Sequence, residues 1–130
     1  MTVTLVLVLA ELLVGGGVVC AEARGEDREE QIAIARVIKN RLQASGRTAL
    51  DEMLAPWQFA KPCRASLVKL DHLTAYATGR WGEAPDWSHE ATHFCSRKTV
   101  RKVRRRWRRR GLRIIESGRR VGHRFWKPRG

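Results

Sequence analysis

The chain has 130 residues, of which 43% are hydrophobic, and a formal net charge of +13. That length suits one small domain and is too short for two independent ones. The apolar content excludes a wholly disordered basic tail. We therefore expect one folded domain that covers residues 1–130.

The positive charge is concentrated at the C-terminal end. Residues 1–96 contain 10 Lys or Arg against 12 Asp or Glu, whereas residues 97–130 contain 16 against 1. The densest part is 97–113, where 11 of 17 residues are Lys or Arg. A surface of this sign attracts nucleic acid, anionic lipid or acidic wall polymers, and charge alone does not choose among them.

The first apolar stretch, residues 3–20, is compatible with a buried helix, a signal peptide or a membrane span. No Lys or Arg precedes Arg24, so the charged start of a signal peptide is missing, although Ala21-Glu22-Ala23 fits a small-x-small cleavage pattern. Glu11 and the glycines at 15–17 interrupt a span. We expect a buried first helix.

The next elements are predicted to be helices. Asp27 and Glu30 have the spacing of a capping box, apolar residues follow at helical spacing, and Gly46 predicts the end of that helix. Residues 48–54 predict a short helix that ends before Pro56, and residues 66–78 predict a further helix that ends at Gly79. The mixed composition of 80–90 predicts a surface loop.

The C-terminal third is predicted to contain the strands. Residues 91–95 are short and β-prone, and 112–115 with 121–126 predict a hairpin around Ser117-Gly118. Residues 97–110 predict a cationic helix with Val100, Val103 and Trp107 on one side. The predicted fold class is therefore α+β, dominated by helices, with a small hairpin or sheet.

Three cysteines, Cys20, Cys63 and Cys95, leave at least one thiol unpaired, and nothing in their number demands an oxidising compartment. His89, His93 and Cys95 have a ligand-like spacing, but the paired cysteines that usually accompany a structural zinc are missing. We expect no metal and no cofactor.

An ordered set of motifs resembles the SleB/CwlJ-type cell wall hydrolases over about residues 20–126. The motifs are Ala21-Glu22-Ala23-Arg24-Gly25-Glu26, Gln31-Ile32-Ala33-Ile34-Ala35, Val37-Ile38-Lys39-Asn40-Arg41, Gln58-Phe59, Ala91-Thr92-His93-Phe94, Trp107 and Val121-Gly122-His123-Arg124-Phe125. The resemblance implies a lysozyme-like domain. It also implies cleavage of peptidoglycan glycan strands at the β-1,4 bond between N-acetylmuramic acid and N-acetylglucosamine, by a lytic transglycosylase or a muramidase.

The same resemblance implies the site residues. Glu22 matches the catalytic glutamate, and its apolar surroundings suit an acid poised near neutral pH. The substrate-side candidates are Gln58, Phe59, His93 and His123, each of which has an alternative role in the core. The family commonly has a serine where Ala60 stands, and it offers no counterpart for the arginine run.

A second carboxylate is not assigned by the sequence. Glu26 follows Glu22 by four residues, but Gly25 predicts that the helix ends between them, which makes Glu26 a helix-start or supporting group. Glu83 and Asp86 lie in the predicted loop and are candidates for lining a sugar cleft.

The competing hypothesis is a non-catalytic module that binds nucleic acid or an anionic surface through 97–113. Trp107 would then stack on a base, although no recognition motif accompanies it. Under the enzyme hypothesis the same run holds the protein on anionic wall polymers or membrane. The predicted place of action is the bacterial cell wall, reached by phage-encoded release at lysis or by export.

Overall fold

The computed structural model describes residues 2–56, 58–116 and 122–130. It is helix-dominated α+β, as predicted: five α-helices accompany a small three-stranded antiparallel sheet among these residues. The predicted turn at Ser117-Gly118, together with Val121 and Trp57, lies outside the described residues.

The first helix, α1 (Val3–Ala23), is only partly buried, so the expected buried first helix holds for its C-terminal half. Residues 15–20 and Ala23 lie in the core, whereas the apolar side chains between Val3 and Leu9 are exposed. By length and composition alone α1 could cross a membrane, a test that core helices and signal sequences also pass.

Three consecutive glycines let α1 pack closely against its neighbours. A Cβ at Gly15 would collide with the ring of Tyr76, and one at Gly16 with Leu73. At Gly17 the obstacle would be Pro62. The glycines, which are poor helix formers, are thus explained by close approach of α1 to the surrounding chain.

Helix α2 (Arg28–Ser45) has the bounds that the sequence predicted. Asp27 caps its start by accepting a hydrogen bond from the Glu30 backbone N–H, and Gly46 ends it at φ 72°. The reciprocal half of the capping box is replaced, because Glu30 Oε1 accepts from the backbone N–H of His123, 93 residues away. Helix α3 (Ala49–Leu54) follows as predicted, with Thr48 as its cap.

Helix α4 (Leu70–Trp81) begins and ends later than predicted. Residues Ala65–Leu67 form a 3-10 turn, and the backbone N–H of Lys69 donates to His72 Nδ1 where the helix begins. Gly79 does not end the helix. Gly79 lies inside α4, at a point where a Cβ would collide with the Ile32 carbonyl and Ala35 of α2. The glycine therefore allows the two helices to approach closely. The segment 80–90, predicted to be a loop, begins with the last two residues of α4 and contains a 3-10 turn at Asp86–Ser88.

The sheet has the order β1-β3-β2, with β1 (His93–Ser96), β2 (Leu112–Ile114) and β3 (His123–Pro128). The predicted pairing of the last two strands is confirmed, with Ile114 opposite Trp126. β3 also pairs with β1, which brings Phe94 opposite Phe125.

Helix α5 (Val100–Arg109) packs its predicted apolar side inward, after a 3-10 turn at Arg97–Thr99. Val103 is buried, and the indole of Trp107 makes edge contacts with Trp126 and His93 at centroid distances of 5.4 Å and 5.2 Å. Trp107 therefore supports the core under α5, and stacking on a base is not needed to explain it.

Candidate active site

Glu22 lies in the last turn of α1, where that helix meets the loop after α3. Its Oε1 accepts a hydrogen bond of 3.1 Å from the backbone N–H of Ala60. Two links hold that loop in place: a disulfide joins Cys20 to Cys63, and the Cys63 N–H donates to the Gly17 carbonyl at 3.1 Å. Cys95 is the remaining thiol and is buried.

Burial raises the pKa of the Glu22 carboxyl above its ordinary value. The Ala60 N–H and the charges of His123 and Arg41 act in the opposite direction, but they do not outweigh burial. Among the described residues, none of the groups that shift this pKa is a second carboxylate. Glu22 is thus a half-buried acid that holds its proton more tightly than an ordinary glutamate, a property that suits proton donation to a leaving oxygen.

Arg41 organises the surroundings of Glu22, and sequence reasoning gave it no such role. Its guanidinium donates to the Thr92 carbonyl at 2.6 Å and to Gln58 Oε1 at 3.1 Å. It also lies 3.5 Å from Glu52 Oε1 and 4.8 Å from the centroid of the Phe59 ring. Arg41 stands in one of the quoted motifs, but only the fold shows that it links α2 to two loops.

The structure gives Gln58 and Phe59 different surroundings. Gln58 is exposed and is held by Arg41, so it presents an oriented amide at the surface. Phe59 is half-buried, packs against the core formed by α1, α2, α3 and α4, and lies beside Phe94 at a centroid distance of 6.0 Å. Both lie in the segment that carries Ala60 and therefore adjoin Glu22.

His93 is half-buried at the start of β1. Its Nδ1 lies 2.9 Å from Thr92 Oγ1, and its ring contacts Trp107. Burial, followed by the charges of Arg41 and Arg110, lowers the pKa of His93 to about 4. The imidazole is therefore neutral at physiological pH, and it can both donate and accept a hydrogen bond.

His123 is buried at the start of β3 and faces Glu30, a partner that the sequence did not indicate. Its Nδ1 lies 3.5 Å from Glu30 Oε1, and its ring contacts Phe94 at a centroid distance of 5.5 Å. The charge of His123 acts on Glu22 as well. His123 thus stands between the Glu22 surroundings and a separate group of acids.

The other candidate carboxylates lie elsewhere. Glu26 follows the end of α1, as Gly25 predicted, and its side chain contacts Gly122 and Glu30. Glu83 and Asp86 line a shallow depression together with Arg28 and Trp87. They are not among the groups whose charges shift the pKa of Glu22.

The His89, His93 and Cys95 trio does not form a ligand cluster. His89 Nε2 lies 3.1 Å from the Ala84 carbonyl, whereas Cys95 packs in the core beside α5. Within residues 2–56, 58–116 and 122–130, the group of acids and histidines close enough to share a cation consists of Glu26, Glu30 and His123.

The exposed face of α5 forms a second candidate surface, the arginine face. It consists of side chains that line one shallow groove: Arg101, Arg104, Arg105, Arg108 and Arg109. Because the apolar residues of α5 point into the core, these charges are presented outward.

Comparison of the chain with protein-family models, with curated proteins and with solved structures finds no match.

Proposed function

We propose that the protein cleaves the glycan strands of peptidoglycan at the β-1,4 bond between N-acetylmuramic acid and N-acetylglucosamine, with Glu22 as the general acid. The observation that carries the proposal is the state of Glu22: a half-buried carboxyl whose pKa is raised by burial and whose Oε1 is held by a backbone N–H. The motif that contains Glu22 gives the substrate class by its resemblance to SleB/CwlJ-type hydrolases. The lysozyme-like character of the fold belongs to the same proposal.

The hydrogen bond from Ala60 gives the two carboxyl oxygens of Glu22 different roles. Oε1 is oriented by the Ala60 N–H, and Oε2 is the atom that delivers the proton to the glycosidic oxygen. As the bond to the leaving sugar breaks, the anomeric carbon becomes oxocarbenium-like. The Glu22 carboxylate, once deprotonated, is stabilised by the nearby charge of Arg41.

Neighbouring side chains supply the contacts that a sugar needs. Gln58 offers an exposed amide, and His93 offers a neutral imidazole able to bind a hydroxyl or an acetamido group. Phe59 provides an aromatic edge next to the arginine that orients Gln58. His123 contacts Phe94 and Glu30, and we expect it to support the site through these contacts more than by binding the sugar.

A lytic transglycosylase route fits a single acid best. Retaining hydrolases need a second carboxylate about 5 Å from the first, and inverting hydrolases need a base farther away. Within the described part of the chain, no carboxylate is among the groups that shift the pKa of Glu22. In the proposed route the substrate's 2-acetamido group assists at the anomeric carbon. The Glu22 carboxylate then takes the proton of the muramic acid 6-hydroxyl, and that oxygen closes a 1,6-anhydro ring without water.

Mass spectrometry of muropeptides tests both the activity and the route. Purified protein is incubated with insoluble peptidoglycan, and the released fragments are analysed with and without borohydride reduction. The proposed route gives anhydromuramic ends, which are one water lighter than reducing ends and resist borohydride. Reducible muramic acid ends would make the enzyme a muramidase. Reducible glucosamine ends would place the cut at the other linkage, and no release would reject the proposed function.

A role in binding an anionic surface is the second candidate function, and the arginine face is the observation that favours it. Its exposed guanidinium groups would hold the enzyme on acidic wall polymers or on anionic lipid, by a salt-sensitive attraction. Non-specific binding of nucleic acid would use the same charges. We propose the bacterial cell wall as the place of action, and the partly exposed α1 is compatible with either export or release at lysis.

A further inference from the structure

Three side chains from distant parts of the sequence meet at the junction of α2 and β3. Glu26 comes from the turn after α1, Glu30 from the first turn of α2, and His123 from the start of β3. Their potential ligand atoms all lie within 4.8 Å of one another. We call this group the acid–histidine cluster. None of its members donates or takes up a proton in the proposed glycan chemistry, although the charge of His123 acts on Glu22.

Two buried atoms of the cluster have no hydrogen-bond partner among the described residues. Glu30 is 1% exposed and His123 is 8% exposed. Glu30 Oε1 accepts the backbone N–H of His123 at 2.8 Å, but Glu30 Oε2 and His123 Nδ1 receive or make no hydrogen bond within the described part of the chain. Buried polar atoms normally have a hydrogen-bond partner, so a ligand bound between these two atoms would explain their burial.

A bound cation satisfies these atoms together. Glu26 and Glu30 bring two carboxylates into contact, and like charges at that distance repel each other. The metal-free alternative is a proton shared by the two carboxylates, with the Nδ1–H tautomer of His123 facing Glu30 Oε1 at 3.5 Å, and it predicts no Zn²⁺ binding. A divalent cation accepts the lone pairs of all three groups and neutralises the two negative charges.

The donor set indicates the kind of cation. An imidazole nitrogen is a poor ligand for Ca²⁺ or Mg²⁺ and a good one for Zn²⁺. Tetrahedral Zn²⁺ at 2.0–2.1 Å from each ligand keeps its ligand atoms about 3.3 Å apart. His123 Nδ1 and Glu30 Oε1 are already 3.5 Å apart. The third ligand atom, from Glu26, lies within 4.8 Å of the other two and has to move closer on binding, and solvent would complete the four positions.

We propose that Glu26, Glu30 and His123 bind one Zn²⁺ ion, or a first-row metal ion of similar preference. The ion ties the start of β3 to the start of α2. Its expected role is to hold β3, whose first residue contacts Phe94, in register with the helices around Glu22. Gly122 belongs to this arrangement, because a Cβ at that position would collide with the Glu26 carboxylate.

The test is titration of the full chain, stripped of metal by a chelator, with ZnSO4 in a calorimeter. We expect one ion per chain. Glu26→Gln is the informative variant because Glu26 is only half-buried, so its loss leaves the core intact; we expect at least tenfold weaker binding. Gly122→Ala displaces Glu26 without removing a ligand, and we expect it to weaken binding too. His89→Ala is the matched control, because His89 is exposed and outside the cluster.

Several results would overturn the proposal. They are the absence of stoichiometric Zn²⁺ binding, unchanged affinity in both Glu26→Gln and Gly122→Ala, loss of binding in His89→Ala, or binding of Ca²⁺ with no binding of Zn²⁺. Circular dichroism establishes that each variant is folded. Because the readout is binding, the outcome is independent of whether the protein cleaves peptidoglycan, and Glu22→Gln is expected to bind Zn²⁺ as the parent does.

Discussion

The backbone N–H of Ala60 donates a hydrogen bond to the Oε1 atom of Glu22, 38 residues earlier in the chain. Glu22 ends a helix, whereas Ala60 lies in an exposed loop that would be free to move without further links. The disulfide between Cys20 and Cys63 and the bond from the Cys63 N–H to the Gly17 carbonyl supply those links. The orientation of the candidate acid therefore depends on a covalent tie two residues away from it.

The first prediction concerns the acid itself. Glu22→Gln should leave the protein folded and lower the rate of peptidoglycan cleavage by about 100-fold or more, in line with the usual size of general acid catalysis. The amide can keep the hydrogen bond from Ala60 but cannot deliver a proton. Clearing of a wall suspension measures the rate.

The matched control is Glu83→Gln, which removes an exposed carboxylate of the loop after α4 and should leave the rate unchanged. A Glu22→Gln variant that clears walls as fast as the parent would show that another group is the acid.

The second prediction concerns the disulfide. Cys63→Ser opens a link between residues 43 apart, and the chain-entropy model gives a loss of about 4 kcal/mol in the free energy of unfolding. Denaturant titration measures it. We also expect slower cleavage by the folded variant, because the loop that carries Ala60 is no longer tied to α1.

Cys95→Ala provides the comparison, since it removes a thiol without touching the disulfide or the loop. Equal stability of Cys63→Ser and the parent under oxidising conditions would mean that the bond does not form in solution.

The third prediction concerns pH. Because burial raises the pKa of Glu22, the protonated form persists to higher pH than for an ordinary glutamate, and activity should fall as pH rises through that raised pKa. The contribution of Glu22 to the free energy of unfolding also falls as pH rises. The group favours folding below its unfolded pKa, and this contribution is lost as pH rises through the folded pKa. Glu22→Gln should therefore gain stability over the parent at neutral pH and lose that advantage in acid.

Arg41 allows this assignment to be checked. Its charge lowers the pKa of Glu22, so Arg41→Gln should move the alkaline limb of the activity profile to higher pH. Arg41→Lys keeps the charge and should move the limb less, even if it loses the forked contacts to Thr92 and Gln58. Identical limbs in the parent and in Arg41→Gln would mean that the limb does not report Glu22.

Local signals predicted the elements whose ends are determined by neighbouring residues. Helix α2 begins at an Asp27 cap and ends at a glycine with positive φ, and both features are visible in the sequence. Gly79 misled the prediction for α4, because a glycine can mark a helix end or a close approach to another helix. Sequence alone cannot separate these two cases.

The sequence motifs predicted only part of the candidate site. Glu22 and Gln58 were expected, but the roles of Arg41 and Glu30 depend on contacts between residues far apart in sequence. The sequence places Arg41 only within a quoted motif, and Glu30 only in a capping box. In the fold, Arg41 instead turns toward Thr92, and Glu30 binds the backbone of β3.

The last prediction concerns the arginine face. The triple change of Arg104, Arg105 and Arg108 to Gln should weaken binding to whole walls, because these exposed charges supply a long-range attraction to anionic polymers. The binding of the parent should fall steeply as salt rises, and that of the variant much less. Turnover of small soluble glycan fragments should stay the same, since none of the three residues touches the surroundings of Glu22. The control changes Arg64, Lys69 and Arg129 to Gln, which removes the same number of exposed charges outside 97–113. Co-sedimentation with walls across a salt series measures the binding.

If both triple variants lose binding equally, the attraction depends on net charge and not on α5. If the α5 variant also loses turnover of soluble fragments, its arginines support the fold or the active site, and the proposed anchoring role is wrong.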